Sequence, residues 1–239
     1  MRLQLFIARC GIASRRKAEV CVESGLVTVN GNVVTDCTFQ VSEADFVMYR
    51  GLRVNLPSYQ YLKMYKPRRC VSTHTRQGDD PTVFDLLTAN GINCDTLNIV
   101  GRLDKDSEGL MILTNDGELL HRLTHPSFEV AKIYEVTLDM MISAKDLKSA
   151  LTGVDSEGER LKCDRINPLT PVDGSSVLQC YLHEGKKRHL RRLFGSFGYA
   201  IKTLKRTELG PFSLGAMRFG DVYPIAVEEI AEIKKRLKI

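Results

Sequence analysis

Gly101-Arg102-Leu103-Asp104-Lys105-Asp106-Ser107-Glu108-Gly109-Leu110-Met111-Ile112-Leu113-Thr114 is the stretch on which the reading of this chain turns. Two glycines bracket a run of charged and hydroxyl side chains. The apolar run after it is too short for a helix and suits a buried strand. Ile99-Val100 reads as a second strand entering the loop, so the polar groups are presented at a sheet edge. Pattern alone leaves two readings open, a solvated turn between strands and a cluster of reactive groups, and by itself it favours the turn.

The sequence on both sides extends the strand reading. Tyr59 to Tyr65 is strand-like and stops at Lys66-Pro67, Gly78-Asp79-Asp80-Pro81 is a loop, and Val83 to Leu87 starts a helix or short strand. Beyond the loop, Asn115-Asp116-Gly117 turns the chain and Glu118 to Leu123 suits a helix. Val130 to Leu138, Ser176 to Leu182 and Ala200 to Leu204 add strands. In Ala131 to Val136 alternation sets Lys132, Tyr134 and Val136 on one face, with Ile133 and Glu135 on the other. From His183 to Phe194 helical spacing groups Leu190, Leu193, Phe194 and Phe197 on an apolar face and Arg188 with Arg192 on the opposite one. Arg191 falls at the border, where a guanidinium can enter a pocket. Strands outnumber helices without a repeating strand-helix unit, which predicts an α+β domain on a mixed, largely antiparallel sheet.

The first residues have a different grain. Leu3, Phe6 and Ile7 share a helical face that Gly11 can end, and Ser14 can cap a second helix running to Glu23. Leu26 to Val29, Asn30-Gly31 and Asn32 to Val34 spell a hairpin, because Asn-Gly takes the positive φ angles of a type I′ turn. A small α/β module over residues 1–56 is expected, with Pro57-Ser58 as linker and the larger domain over 57–239. Arg9, Arg15, Arg16 and Lys17 crowd the start of the second helix, where free backbone amides also favour phosphate.

Composition sets bounds around these elements. A hydrophobic fraction of 43% with 26% charged residues is enough for a conventional core. Lys and Arg total 34 against 29 acidic residues, a formal charge of +5 that permits a polyanionic partner without requiring one. Basic residues crowd Arg9–Lys17, Lys63–Arg69, Lys186–Arg192 and Lys202–Arg206, whereas acidic residues are spread out. The seven cysteines form no C-x-x-C pair, and His121, His125, His183 and His189 lack the spacing of a metal cage, so no metal is expected. Without an apolar signal core or spanning run, the expected setting is a reducing cytosol, away from the membrane.

Taken together, these segments resemble a known family. Leu5 to Glu19 and Gly25 to Gly31 are similar to the S4-type RNA-binding domain. Gly101-Arg102-Leu103-Asp104 with Ser107, Gly109-Leu110 and Leu113-Thr114-Asn115-Asp116-Gly117 resembles the signature of pseudouridine synthases in the branch named for ribosomal small subunit pseudouridine synthase A. That resemblance implies an enzyme that isomerises a uridine in ribosomal RNA or a ribosome assembly intermediate, with no cofactor, acting as a monomer. It implies Asp104 as the essential carboxylate, Tyr134 as the tyrosine against the target base, Arg191 as the basic partner of the aspartate, and Arg102 as the arginine filling the space of the flipped nucleotide. Arg9, Arg15, Arg16, Lys17, Lys186, Lys187, Arg188 and Arg192 are the expected RNA contacts. Ser107 stands where many relatives carry threonine, and His189 where glutamine is common. The Gly11 to Lys17 segment reads more like the large-subunit enzymes. Two other classes stay open on sequence grounds: a non-catalytic RNA-binding or ribosome-assembly factor, and an RNA N-glycosidase that would release free uracil.

Overall fold

Leu3, Phe6 and Ile7 form the buried face of α1 (Leu3–Arg9) in the computed structural model, which describes residues 1–42, 44–76 and 78–239. Ser14 caps α2 (Arg15–Glu23) by accepting the Lys17 amide at 3.5 Å, and Ala18 and Val22 complete that helix's inward stripe. A hairpin joins β1 (Val27–Val29) to β2 (Asn32–Val33) through Asn30 and Gly31, at φ 52° and 86°, the positive angles a type I′ turn needs. With β3 (Val47–Tyr49) and β4 (Leu52–Arg53) it makes an antiparallel sheet in the order β2-β1-β3-β4. The helices and this sheet enclose Leu3, Ile7, Val22, Val27 and Val47.

The chain divides into two compact units, Met1–Gln60 with Asp95–Leu97, and Tyr61–Cys94 with Asn98–Ile239. The first unit thus runs past the expected end at 56. Leu56 packs against the small core, and the first strand of the larger unit begins only at Tyr61.

In the larger unit, β5 (Tyr61–Lys66) is followed by α3 (Val83–Ala89), whose capping box from Thr82 and Asp85 decides for a helix where sequence left helix or strand. Next come β6 (Asn98–Val100), the polar loop and β7 (Glu108–Thr114), then α4 (Gly117–Thr124) capped by Asp116, and a 3₁₀ turn at Pro126–Phe128. β8 (Lys132–Leu138), α5 (Ala144–Thr152), the β9 (Val154–Ser156) and β10 (Glu159–Leu161) hairpin, β11 (Arg165–Pro168) and β12 (Val177–Leu182) lead to α6 (His189–Gly195). β13 (Ile201–Leu209), β14 (Phe212–Ser213), β15 (Val222–Pro224) and α7 (Val227–Leu237) complete the chain.

The large sheet runs β11-β12-β8-β13-β7-β5-β15, with β14 on β13 and β6 on β7. Only the β13–β7 pair is parallel among the described strands, so the sheet is mixed and mainly antiparallel, and the fold is α+β. That parallel junction matters for the site. It sets Lys205 against Glu108 and Arg206 against Gly109, at the end of β7 where the polar loop arrives. One apolar cluster joins Val136, Leu178, Leu182 and Leu204 to Leu190 and Phe194 of α6, and a second joins Leu110, Ile112 and Leu209 to Leu119, Leu123 and Ile230. Burying side chains of this size contributes about 1.5–3 kcal/mol each, which makes the strands flanking the loop a firm base for it. No helix among the described residues is long and apolar enough to cross a membrane.

Candidate active site

The loop from Gly101 to Gly109 is held in shape by its own carbonyl oxygens. Lys66 lies at the end of β5 and is fully buried. Its ammonium donates to the carbonyls of Ser107 (2.7 Å), Pro67 (2.9 Å), Asp104 (3.2 Å) and Lys105 (3.4 Å). Burial pulls this lysine down to about 8, against the upward influence of Cys70, Asp104, Asp106 and Glu108. The next residues add to the grip. The Arg69 amide donates to Lys105 O at 2.8 Å, and the Ser72 hydroxyl donates to Leu103 O at 2.8 Å while accepting the Leu103 amide at 3.3 Å. A further turn closes where the Ser107 amide donates to Asp104 O at 3.0 Å.

Gly109 ends the loop at φ +107°, and a Cβ there would stand 2.7 Å from the Arg206 amide nitrogen. Glycine is required because β7 and β13 approach backbone to backbone at this point.

These constraints deliver Asp104, half-buried, to a cleft lined also by Arg102, Ser107, Tyr134, Arg188 and His189, with Leu182, Leu190 and Leu204 as its apolar wall. Three segments distant in sequence therefore meet: the loop, strand β8 and the start of α6. Tyr134 sits on β8 opposite Cys180 on one side and Arg206 on the other, half-buried. Among the described residues the Asp104 carboxylate has no hydrogen bond or ion pair, which leaves all its acceptor capacity free.

Arg191 meets the loop differently from the expected ion pair. Its guanidinium donates to Asp106 O at 3.1 Å and to Ile201 O at 3.4 Å, and no ion pair with Asp104 within 4.0 Å exists among the described residues. Burial and then Arg188 pull its ionisation below the usual arginine value, while Asp104 and Asp106 support the charge. The side chain thus grips main chain and contributes to Asp104 a nearby charge and no direct bond.

The other basic candidates separate into free and occupied. Arg102, Lys187 and Arg188 are exposed, as are Arg15, Arg16 and Lys17 on the first turn of α2. Arg9 is half-buried, its guanidinium 4.7 Å from the centre of the Tyr59 ring. Lys186 pairs with Glu184 at 3.0 Å and donates to Arg160 O at 2.6 Å. Arg192 was expected on a solvated helix face, yet it pairs with Glu159 at 2.5 Å and donates to the Ser156 carbonyl. The β9–β10 hairpin covers that face, which helical periodicity could not foresee. Arg188 likewise precedes the helix in a left-handed conformation, so the helix begins at His189 and the Arg188–Arg192 stripe does not form. His189 is buried. Its Nε2 lies 2.9 Å from Lys162 O, so the imidazole supplies a side-chain bond where glutamine was expected.

Sequence reasoning missed Lys66 and Arg206, both fully buried. Each had been counted within a basic cluster. The signal was strand parity: Leu62, Met64 and Lys66 share one face of β5, and Leu204 and Arg206 one face of β13.

Comparison with known proteins points to one family. The RNA pseudouridylate synthase family profile matches residues 60–196, and the S4 domain profile matches residues 1–47. The chain is 37% identical over 235 residues to an uncharacterised RNA pseudouridine synthase of Mycobacterium tuberculosis, covering 98% of this chain and 92% of the relative. It is 32% identical over 235 residues to ribosomal large subunit pseudouridine synthase B of Bacillus subtilis, covering 98% and 95% of the two chains. A solved pseudouridylate synthase superposes with a TM-score of 0.64 at 27% identity, over 98% of this chain and 99% of that one.

Proposed function

Since the chain belongs to the RNA pseudouridine synthase family and is an isomerase acting on RNA, we propose that its target is a uridine of ribosomal RNA, with the large subunit favoured, and that Asp104 is the catalytic carboxylate. The observation that carries this reading is the unpartnered Asp104 carboxylate in a cleft shared with Tyr134 and Arg102. The name of the Bacillus subtilis relative supports the large-subunit preference.

The reaction breaks the bond from uracil N1 to ribose C1′, forms one from C5 to C1′, removes a proton from C5 and returns one to N1. No electron or external group is exchanged. A fixed carboxylate stabilises positive charge developing on the ribose, and Asp104 is free for that role because the loop is held by main-chain contacts. Tyr134 packs against the extruded base, and Arg102 takes up the space the base leaves in the RNA. Arg191 supplies charge beside the loop. Arg15, Arg16 and Lys17 of the S4 domain, with Arg9, Lys187 and Arg188, hold phosphates. Lys186 and Arg192 serve chiefly to fix the chain around α6. Action as a monomer, in the cytoplasm where a ribosomal RNA substrate would lie, is part of the same proposal.

Pseudouridine mapping of ribosomal RNA from cells with and without the protein tests the target. One large-subunit site that disappears on deletion and returns with wild type, but not with Asp104→Asn, is the expected result. An unchanged ribosomal map, with loss of a site in another RNA, would overturn the ribosomal assignment. Release of free uracil by the purified protein would instead favour the glycosidase reading.

A further inference from the structure

Arg206 is 1% exposed, yet no carboxylate lies within ion-pair distance of it among the described residues. A buried charge without a counterion is costly, and an apolar side chain of similar volume would fill the same space more cheaply. Its contacts lie on the polar loop. Nε donates to Leu110 O at 2.8 Å, just after the loop. Nη1 lies 3.7 Å from where a Cβ on Gly101 would stand, at the loop's first residue, and the Arg206 backbone is the one that packs against Gly109. Arg206 therefore lies beside both ends of the loop from a single position on β13, directly across from Tyr134.

Buried polar side-chain atoms without a hydrogen bond to the described residues gather in the same region: Arg206 Nη2, Ser107 Oγ, Arg191 Nε and His189 Nδ1, the last 3.6 Å from the Glu184 carboxylate, with Gln4 Oε1 as the remaining described case. Native structures leave few such atoms, and each calls for a reason. Lys132, on the same face of β8 as Tyr134, is pulled below its usual value by burial and then by Arg206, so the guanidinium charge acts on this side of the sheet.

We propose that Arg206 is a positioning residue for the isomerisation: its buried guanidinium clamps the two ends of the Gly101–Gly109 loop and so fixes where Asp104 stands relative to Tyr134. The proposal rests on Asp104 being the catalytic carboxylate. It assigns Arg206 no contact with the nucleotide. Lys66 holds the middle of the loop by its carbonyls, and Arg206 holds the ends.

The test compares wild type, Arg206→Met and Arg206→Lys in the full-length protein, well below each variant's melting temperature. Single-turnover isomerisation at saturating enzyme is measured beside the Kd for the same RNA. Arg206→Met should slow the single-turnover step about a hundredfold, the cost of a misplacement near 1 Å, with Kd changed less than about threefold. Arg206→Lys should recover about tenfold of that loss, because an ammonium can still bind the Leu110 carbonyl. A merely structural arginine would lower the melting temperature of both variants and leave the single-turnover rate near wild type, which overturns the proposal. A loss residing wholly in Kd also overturns it. Should Arg206→Met fail to fold, Arg206→Lys decides alone: a reduced rate at unchanged Kd supports the clamp, and a wild-type rate overturns it. Full activity of Asp104→Asn would defeat the underlying reading. A dead Asp104→Asn beside a fast, folded Arg206→Met would defeat this inference only.

Discussion

Asp104 and Asp116 flank the same strand, one in the loop before β7 and one in the turn after it, and their surroundings are opposite. Asp116 is 1% exposed and fully engaged. It accepts from the Tyr61 hydroxyl at 2.9 Å and from the amides of Glu118 and Leu119 at 3.1 and 3.2 Å, and it pairs with Lys234 at 2.5 Å. Burial raises its pKa, but the bonds from Lys234, Leu119 and Tyr61 outweigh burial and leave it below the ordinary carboxylate value. Asp104 is half-buried, and its carboxylate has no such partner among the described residues, while its main chain is held by Lys66 and the Ser107 amide. A carboxylate whose lone pairs are all taken fixes a helix start. One held only through its backbone keeps those lone pairs open, as the role proposed for Asp104 requires.

The contrast can be broken from the Asp104 side first. Arg191→Leu removes the charge beside the loop and the bonds to Asp106 O and Ile201 O, and turnover should fall about a hundredfold with RNA affinity nearly unchanged. A normal rate in the folded variant would take Arg191 out of the site. From the other side, Asp116→Asn should cost about 3 kcal/mol of stability at neutral pH, the usual scale for breaking a buried pair, and leave turnover unchanged below its melting temperature. Because the native pKa of Asp116 is lowered, its contribution is present above the unfolded-state value near 3.9 and is lost as pH falls through the native one. Wild type and the Asn variant should therefore converge in stability in acid, and an undiminished gap there would contradict the pairing.

A smaller effect sharpens the role of Lys66. As pH rises through about 8 its ammonium becomes an amine with one donor fewer, so one loop carbonyl loses its bond and the rate should fall about fivefold. Stability should not fall with it. The unfolded lysine keeps its proton up to about 10.5, so between these values the unfolded state binds more protons and linkage favours folding as pH rises. Rates and melting temperatures measured from pH 7 to 9.5 would contradict this assignment if they declined together.

Much of this was legible in the sequence because it is local. The Asn30-Gly31 turn, the Ser14 cap and the Asp116 turn each depend on residues a few positions apart, and each formed where the pattern put it. The family motif likewise pointed to the loop that carries Asp104. What stayed hidden depends on distant partners. Arg192 could not be told from a phosphate-binding arginine until Glu159 and Ser156 were brought to it by a hairpin more than thirty residues away. Lys66 and Arg206 looked like members of basic surface runs, since strand alternation shows which residues share a face but not that a cation will be buried there against carbonyls.

The most direct measurement of the central claim is tritium release from carbon-5-labelled uridine RNA by Asp104→Asn, run beside Asp116→Asn below the melting temperature of both. Asp104→Asn removes ionisable charge with almost no change in volume, and it should lower release at least about a thousandfold while RNA affinity stays within a few fold. Asp116→Asn should release tritium at the wild-type rate. Normal release by Asp104→Asn would contradict the account, because the carboxylate left open in the cleft would then not be the one that does the chemistry.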